Sequence, residues 1–169
     1  MKLNKALIAV ACVLFAVSSF AQGSRGKAEL KTGNGSITID YGRPALKGRD
    51  MVSMLKVGSF WRMGNNQATV LTTPVDLTFG STKVPKGAYS IWLLLAAPDK
   101  FELVFNTQTG QWGMQHDVSR DVYKVPLELA SSPSSVELFT MELKEASGGG
   151  TLSLNWGDDV LSTDFAFAK

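Results

Sequence analysis

Hydrophobic and polar residues alternate with a period of two over most of the chain. Ile37, Ile39 and Tyr41 alternate with polar neighbours in the first such run, and the pattern recurs at 75–79, 101–106, 123–129, 139–144 and 151–156. Alternation of this kind is typical of antiparallel strands with one buried and one wetter face. With Gly-, Asn- and Pro-containing turns between the runs, about nine or ten short strands predict an all-β, antiparallel β-sandwich or jelly-roll-like fold.

Three segments depart from simple alternation. Ile91 to Ala97 is apolar on both faces, which predicts a central strand. Arg49 to Lys56 places its apolar residues on one helical face and predicts a helix of one or two turns. The stretch "FWRMGNNQATV", Phe60 to Val70, reads as a strand end that enters a bend at Gly64, with the next strand at Gln67 to Thr73. Loops at the ends of such sandwiches commonly carry sites.

The N-terminus has the pattern of a secretory signal peptide. Lys2 and Lys5 precede an apolar run from Ala6 to Val17, and Ser19 to Ala21 forms a small-x-small cleavage site. The apolar run is shorter than the roughly 20 residues of a spanning helix, so we expect no stable membrane anchor. The sequence therefore predicts a signal peptide at residues 1–21, a single β-sandwich domain at 22–169, and an exported protein, periplasmic or secreted.

Composition excludes several chemistries. Removal of the predicted signal peptide takes 21 of the 169 residues and leaves 148. The formal charge of +2 comes from Lys2 and Lys5, so the remaining chain has 15 basic and 15 acidic residues. A neutral chain gives no electrostatic reason to expect nucleic acid as a partner. Cys12 lies in the predicted signal peptide and His116 is the one histidine, which excludes thiolate chemistry and a three-histidine metal site. We expect no metal and no cofactor.

Six motifs resemble a known family. They are "IDYGRPALKGRD" (39–50), "FWRMGNNQATV" (60–70), "KGAYSIWLL" (86–94), "NTQTGQWG" (106–113), "RDVYKVPLEL" (120–129) and "LSLNWGDD" (152–159). In order and spacing they resemble the bacterial exported family called domain of unknown function 2911, over about residues 35–167. The resemblance implies an all-β exported domain without an assigned activity. The family's motif is similar to Trp-Arg-x-Gly-x-Asn-Glu-Ala-Thr, and Gln67 stands where that motif has Glu, so an acid's role is not carried over.

Two loops carry the candidate site. The residues are Tyr41, Arg43 and Arg49 from the first loop and Trp61, Arg62, Asn66 and Gln67 from the second, with Trp112 as the best exposed candidate among the tryptophans. Guanidinium groups bind carboxylates or vicinal hydroxyls at two points, carboxamides both donate and accept, and an aromatic ring stacks on a sugar face. In the alternative, Arg43 and Arg62 pair with strand-end acids such as Asp40 or Asp50, and Trp61 belongs to the core.

Other candidates are weaker. His116 and Asp117 could form a base with its orienting acid, and Asp158 and Asp159 a catalytic or calcium-binding pair. Adjacent residues on a strand point to opposite faces, which argues against both pairs. A half-buried surface histidine and a turn after Gly157 are the plainer interpretations.

Two function classes remain. The first is a non-catalytic binding or structural module that recognises a glycan, a cell-wall fragment or a small anion. Its rival is a small periplasmic hydrolase that uses carboxylates brought together by the fold. The hydrolase requires an acid within reach of a pocket and a raised pKa, whereas the binding module requires no acid beside Arg62. The chain has no G-x-S-x-G nucleophile motif, which favours the binding module.

Overall fold

The computed structural model describes residues 25–168, which form ten β-strands and no α-helix. The strands are β1 (Arg25–Thr32), β2 (Gly35–Gly42), β3 (Phe60–Trp61), β4 (Thr69–Thr73), β5 (Leu77–Phe79), β6 (Thr82–Val84), β7 (Gly87–Ala97), β8 (Lys100–Asn106), β9 (Asp121–Ala146) and β10 (Gly149–Phe167). A 3₁₀ turn, Val118–Arg120, precedes β9. The predicted all-β class is confirmed, while the predicted signal peptide lies outside the described residues. Within residues 25–168 no helix is long and apolar enough to cross a membrane.

The strands form one antiparallel sheet that folds over on itself. Their order is β1-β2-β4-β7-β8-β9-β10-β5-β6, and β3 pairs with β7 beside this path. The start of β9 pairs with β8, and the rest of β9 pairs with β10. The two halves of the sheet pack against each other through their side chains. For example, the ring of Tyr41 in β2 contacts that of Phe139 in β9 edge-on, with centroids 5.7 Å apart. This is a sandwich with its core between the two layers.

The alternating runs supply that core. Ile37 and Ile39 are fully buried and Tyr41 is 3% exposed, as the period of two predicts. From the opposite layer, Phe139 and Trp156 are buried at 0% and 1% exposure. The hydrophobic effect therefore fixes the register of these strands, because a slip by one residue would turn the apolar set toward water.

Strand β7 is buried on both faces, which confirms the predicted central strand. Ile91 and Leu93 belong to the main core, whereas Trp92 and Leu94 face a second apolar cluster that includes Val104. β7 has β4 and β3 along one edge and β8 along the other. Both faces are covered, so the strand has no wet side that would require polar residues.

The predicted helix at Arg49 to Lys56 is wrong. This segment consists of turns, with Met54 N donating to Asp50 O at 3.3 Å and Leu55 N to Val52 O at 3.1 Å. The carboxylate of Asp50 accepts from Ser53 N at 2.6 Å. Asp50 therefore caps a single helical turn, as an N-cap residue does. The bond of Leu55 N is already of the tighter i→i−3 type, so the segment does not continue as an α-helix.

The sequence indicates separate strands at 123–129 and 139–144, but the structure joins them in β9. The Ser- and Pro-containing stretch between them lacks alternation. Here β10 has irregular pairing, with Gly157 opposite Val136 and Asp159 opposite Ser131. Four residues of β9 therefore lie against one of β10. A bulge of this kind bends a strand without ending it, and the hydrophobic pattern carries no sign of it.

Candidate functional site

A cleft of about 420 Å³ opens between the segment after β2, the β3–β4 connection and β10. Strand β3 lies along β7, with Phe60 opposite Leu94 and Trp61 opposite Leu93, so the bend that follows begins at one end of the sandwich. Trp156 reaches the cleft from β10, in the other layer. The lining thus combines parts of the chain more than one hundred residues apart.

Two stacked tryptophans belong to the apolar part of this cleft. The rings of Trp61 and Trp156 lie 5.3 Å apart between centroids and 8° from parallel. Phe139 supports Trp61 edge-on at 5.1 Å from the core side. Trp61 is half-buried and Trp156 is buried. Trp61 therefore belongs partly to the core, as the alternative interpretation holds, and also lines the cleft.

Three cationic side chains line the cleft, and no carboxylate does. They are Arg49, Lys56 and Arg62, whereas no Asp or Glu is among the described residues that line it. Within residues 25–168 no acidic group lies at salt-bridge distance from any of the three. The charged side chains of the lining are therefore all positive, and low-dielectric walls lined by charges of one sign focus an electric field.

Backbone carbonyls and an aromatic ring hold Arg49. Its Nε donates to Leu46 O at 3.0 Å, and Nη2 donates to Ala45 O. The guanidinium carbon lies 4.9 Å from the ring centroid of Trp156, a cation–π distance. Because carbonyls carry no net charge, these bonds orient the guanidinium without neutralising it.

Arg62 is held by two weak partners. Its Nε donates to Gly64 O at 3.1 Å and its Nη1 to the Sδ of Met114 at 3.0 Å. Its alkyl part packs on Gly113, where an added Cβ would lie 2.1 Å from Arg62 Cδ. Nη2 has no hydrogen-bond partner in the part of the chain that the structure describes. Arg62 is therefore positioned by packing and keeps donors for a ligand.

Tyr41 and Arg43 are not among the residues that line the cleft. Tyr41 is 3% exposed and its hydroxyl donates to Met141 O at 3.4 Å. Arg43 donates to Phe139 O at 3.3 Å and to Thr140 Oγ1 at 3.1 Å, which fixes the end of β2 to β9. These contacts assign both residues to the joint between the layers.

Contrary to the alternative interpretation, neither Arg43 nor Arg62 pairs with Asp40 or Asp50. Asp40 pairs with Arg25, and Asp50 accepts from Ser53 N. The two aspartates that lie near Arg43 and Arg62 in the sequence thus bind other groups.

Asn66, Gln67 and Trp112 belong to a neighbouring pair of loops. Gly113 N donates to Asn66 O at 2.8 Å, and Gln67 forms an isolated bridge with Trp112. The side chains of Asn66 and Gln67 are exposed, and Trp112 is 54% exposed, the most open of the four tryptophans. None of the three lines the cleft. The structure thus brings Arg49, Trp61 and Arg62 together from the eight predicted residues.

His116 pairs with Asp121, which the sequence did not indicate. Its Nε2 lies 2.8 Å from Asp121 Oδ1, and each side chain is about 10% exposed. The imidazole stacks on Trp92 at 4.2 Å and meets Phe60 edge-on at 4.4 Å. The 3₁₀ turn between the two residues makes this contact, a backbone feature that strand periodicity does not predict. His116 is half-buried, as predicted.

Asp117, the predicted partner of His116, caps the 3₁₀ turn. Its Oδ1 accepts from the hydroxyl of Ser119 at 2.6 Å and from Ser119 N at 3.1 Å. These bonds, with Arg120 beside them, lower the pKa of the Asp117 carboxyl. Its role is local and structural.

Asp159 has an unusual carboxyl. Burial raises its pKa, and the neighbouring Asp50 raises it further, against a bond from the backbone N–H of Val52. Neither aspartate lines the cleft. Within residues 25–168 no group of three or more His, Cys, Asp or Glu side chains could hold a metal ion.

Among the cations and tryptophans that line the cleft, two were not predicted as site residues. Lys56 lies in the segment predicted as a helix, and nothing in its neighbourhood marks it. Trp156 stands in the "LNWGDD" motif, where a strand tryptophan is more often part of the core; here it is both. A further unusual group is its Nε1, which is buried and has no hydrogen-bond partner in the described part of the chain.

Fold and cleft define an all-β, antiparallel sandwich protein with an aromatic, cationic cleft at one end. The chain belongs to the family described as "Protein of unknown function (DUF2911)", whose model matches residues 24–165. This confirms the resemblance and extends it through β1. No curated protein and no solved structure matches the chain.

Proposed function

We propose that this protein is an exported, non-catalytic binding module that recognises a carboxylate-bearing glycan in the cleft. One observation carries the proposal: three cations, none with a carboxylate at salt-bridge distance, line the same cleft as a stacked tryptophan pair. The predicted signal peptide supports export. The cations supply the preference for an anion, and the ring supplies the preference for a flat or sugar-like ligand.

Each group has a role in this binding. The guanidinium of Arg62 donates to the ligand carboxylate, with Arg49 and Lys56 strengthening the field around it. The face of Trp61 covers the apolar face of a sugar ring. The buried Nε1 of Trp156 has no acceptor in the described part of the chain, a state that costs free energy.

Thermal shifts with matched ligands test the proposal. Trigalacturonic acid carries carboxylates on sugar rings, its fully methyl-esterified form removes the charge, and citrate removes the rings. We expect the acid to raise the unfolding midpoint of the purified protein more than either control, because binding to the folded state stabilises it. Arg62→Ala should abolish the shift, whereas Arg25→Ala, which removes an exposed ion pair with Asp40, should preserve it. An equal shift from citrate would indicate a small-anion site, and no shift from any ligand would overturn the proposal.

The hydrolase remains the second candidate because of Asp159. Its raised pKa is the property that a general acid requires. Release of new reducing ends from an oligosaccharide, lost in Asp159→Asn but retained in Asp158→Asn, would establish it. The position of both aspartates outside the cleft lining favours the binding module.

A further inference from the structure

Met114 is by far the most exposed methionine of the described chain. Its side chain is 82% exposed, whereas Met51 and Met63 are fully buried and Met141 is 2% exposed. Met54 is also exposed, but at 38%. Oxidation of a thioether requires access of the oxidant to sulfur, so Met114 is the preferred target.

The sulfur of Met114 contacts a residue of the cleft. Arg62 Nη1 donates to Sδ at 3.0 Å, while Nε of the same guanidinium donates to Gly64 O at 3.1 Å. A thioether is a weak acceptor, so this bond holds the guanidinium loosely. A sulfoxide oxygen on the same sulfur is a polar acceptor, and a charged donor strengthens its bonds to polar oxygens.

We propose that Met114 is an oxidation site whose sulfoxide captures the guanidinium of Arg62 and withdraws it from ligand binding. The modification needs a peroxide as oxidant. The sulfur lone pair attacks one peroxide oxygen, the S–O bond forms as the O–O bond breaks, and water leaves after proton transfer. Sulfur is oxidised by two electrons and the peroxide is reduced. The effect on affinity rests on the proposed function, whereas the modification and the capture of Arg62 do not.

Oxidation and capture are measured without any ligand. The purified protein is treated with dilute hydrogen peroxide, and peptide mass spectrometry follows each methionine. We expect sulfoxide at Met114 to form on the order of tenfold faster than at Met51, Met63 or Met141. The Nε–Hε signal of Arg62 in a nitrogen–proton NMR spectrum, assigned from its loss in Arg62→Lys, should shift on oxidation. In Met114→Leu, it should not respond to peroxide.

Binding is then measured with trigalacturonic acid as the probe. Oxidised wild type and Met114→Gln, whose side-chain carbonyl resembles the sulfoxide oxygen, should bind about tenfold more weakly than untreated wild type. Met114→Leu should bind normally before and after peroxide. Slow oxidation at Met114, or an Arg62 signal unchanged by it, would overturn the proposal. If Arg62 shifts and the probe binds to no form, the proposed function fails while the oxidation site stands. Full affinity of the oxidised protein would show that capture does not control the cleft.

Discussion

At the scale of single residues, Asp159 links ionisation to stability. Its carboxyl pKa is raised above the ordinary 3.8 by burial and by Asp50, so the folded chain holds this proton more tightly than the unfolded chain does. Stability from this group is therefore present below pH 3.8 and falls as pH rises through the folded pKa.

Asp159→Asn should remove that fall. We expect the variant to gain stability relative to wild type as pH rises from 3 to 7, measured by urea unfolding at each pH. Asp158→Asn, at an exposed neighbouring position, serves as the control and should change the profile less. Parallel profiles of wild type and Asp159→Asn would contradict this account of the carboxyl.

Gly113 gives a second prediction at this scale. A Cβ there would lie 2.1 Å from Arg62 Cδ and 2.8 Å from Asn66 O, so Gly113→Ala must displace Arg62. Overpacking of this kind costs about 1–3 kcal/mol. Gly33→Ala, which meets nothing within 4 Å, is the matched control. Urea unfolding should separate the two variants, and similar stabilities would show that Arg62 moves without cost.

At the scale of elements, the His116–Asp121 pair fixes the loop between β8 and β9. His116→Phe would keep a ring between Trp92 and Phe60 but leave the Asp121 carboxylate, 10% exposed, with Asn106 as its remaining side-chain partner. Loss of a partner for a buried group costs about 1–3 kcal/mol of unfolding free energy. Adding Asp121→Asn should recover part of this loss, because the amide removes the buried charge. If His116→Phe had the same unfolding free energy in urea as wild type, the His116–Asp121 pair would not stabilise the fold.

The sequence predicts the elements that side-chain burial defines and misses those that backbone hydrogen bonds define. The hydrophobic pattern predicts strand β2 and the central strand β7, because each residue's polarity reflects whether its face is buried. The pattern does not predict the turns at 49–56, because they depend on capping of backbone N–H groups by Asp50. It does not predict the continuous β9 either, because the bulge opposite Gly157 depends on a distant partner strand.

At the scale of the whole molecule, the cleft exists because the sheet folds over. This brings Trp156 of β10 against Trp61 of β3. Residue chemistry alone indicated Arg49, Trp61 and Arg62, because guanidinium and aromatic groups stand together in two loops. The same criterion selected Tyr41 and Arg43, which the fold uses to join its layers. Residue type identifies the chemistry available, and the packing of distant strands decides which groups share a cavity.

The central claim is that Arg62 and its neighbouring cations distinguish a charged glycan from a neutral one. Isothermal titration should give wild type an affinity for trigalacturonic acid at least about tenfold higher than for the methyl ester, the size expected for one charge-assisted bond. In Arg62→Ala this preference should largely disappear, while residual binding through Trp61 affects acid and ester alike. Equal affinity of wild type for both ligands, or an undiminished preference in Arg62→Ala, would contradict the account.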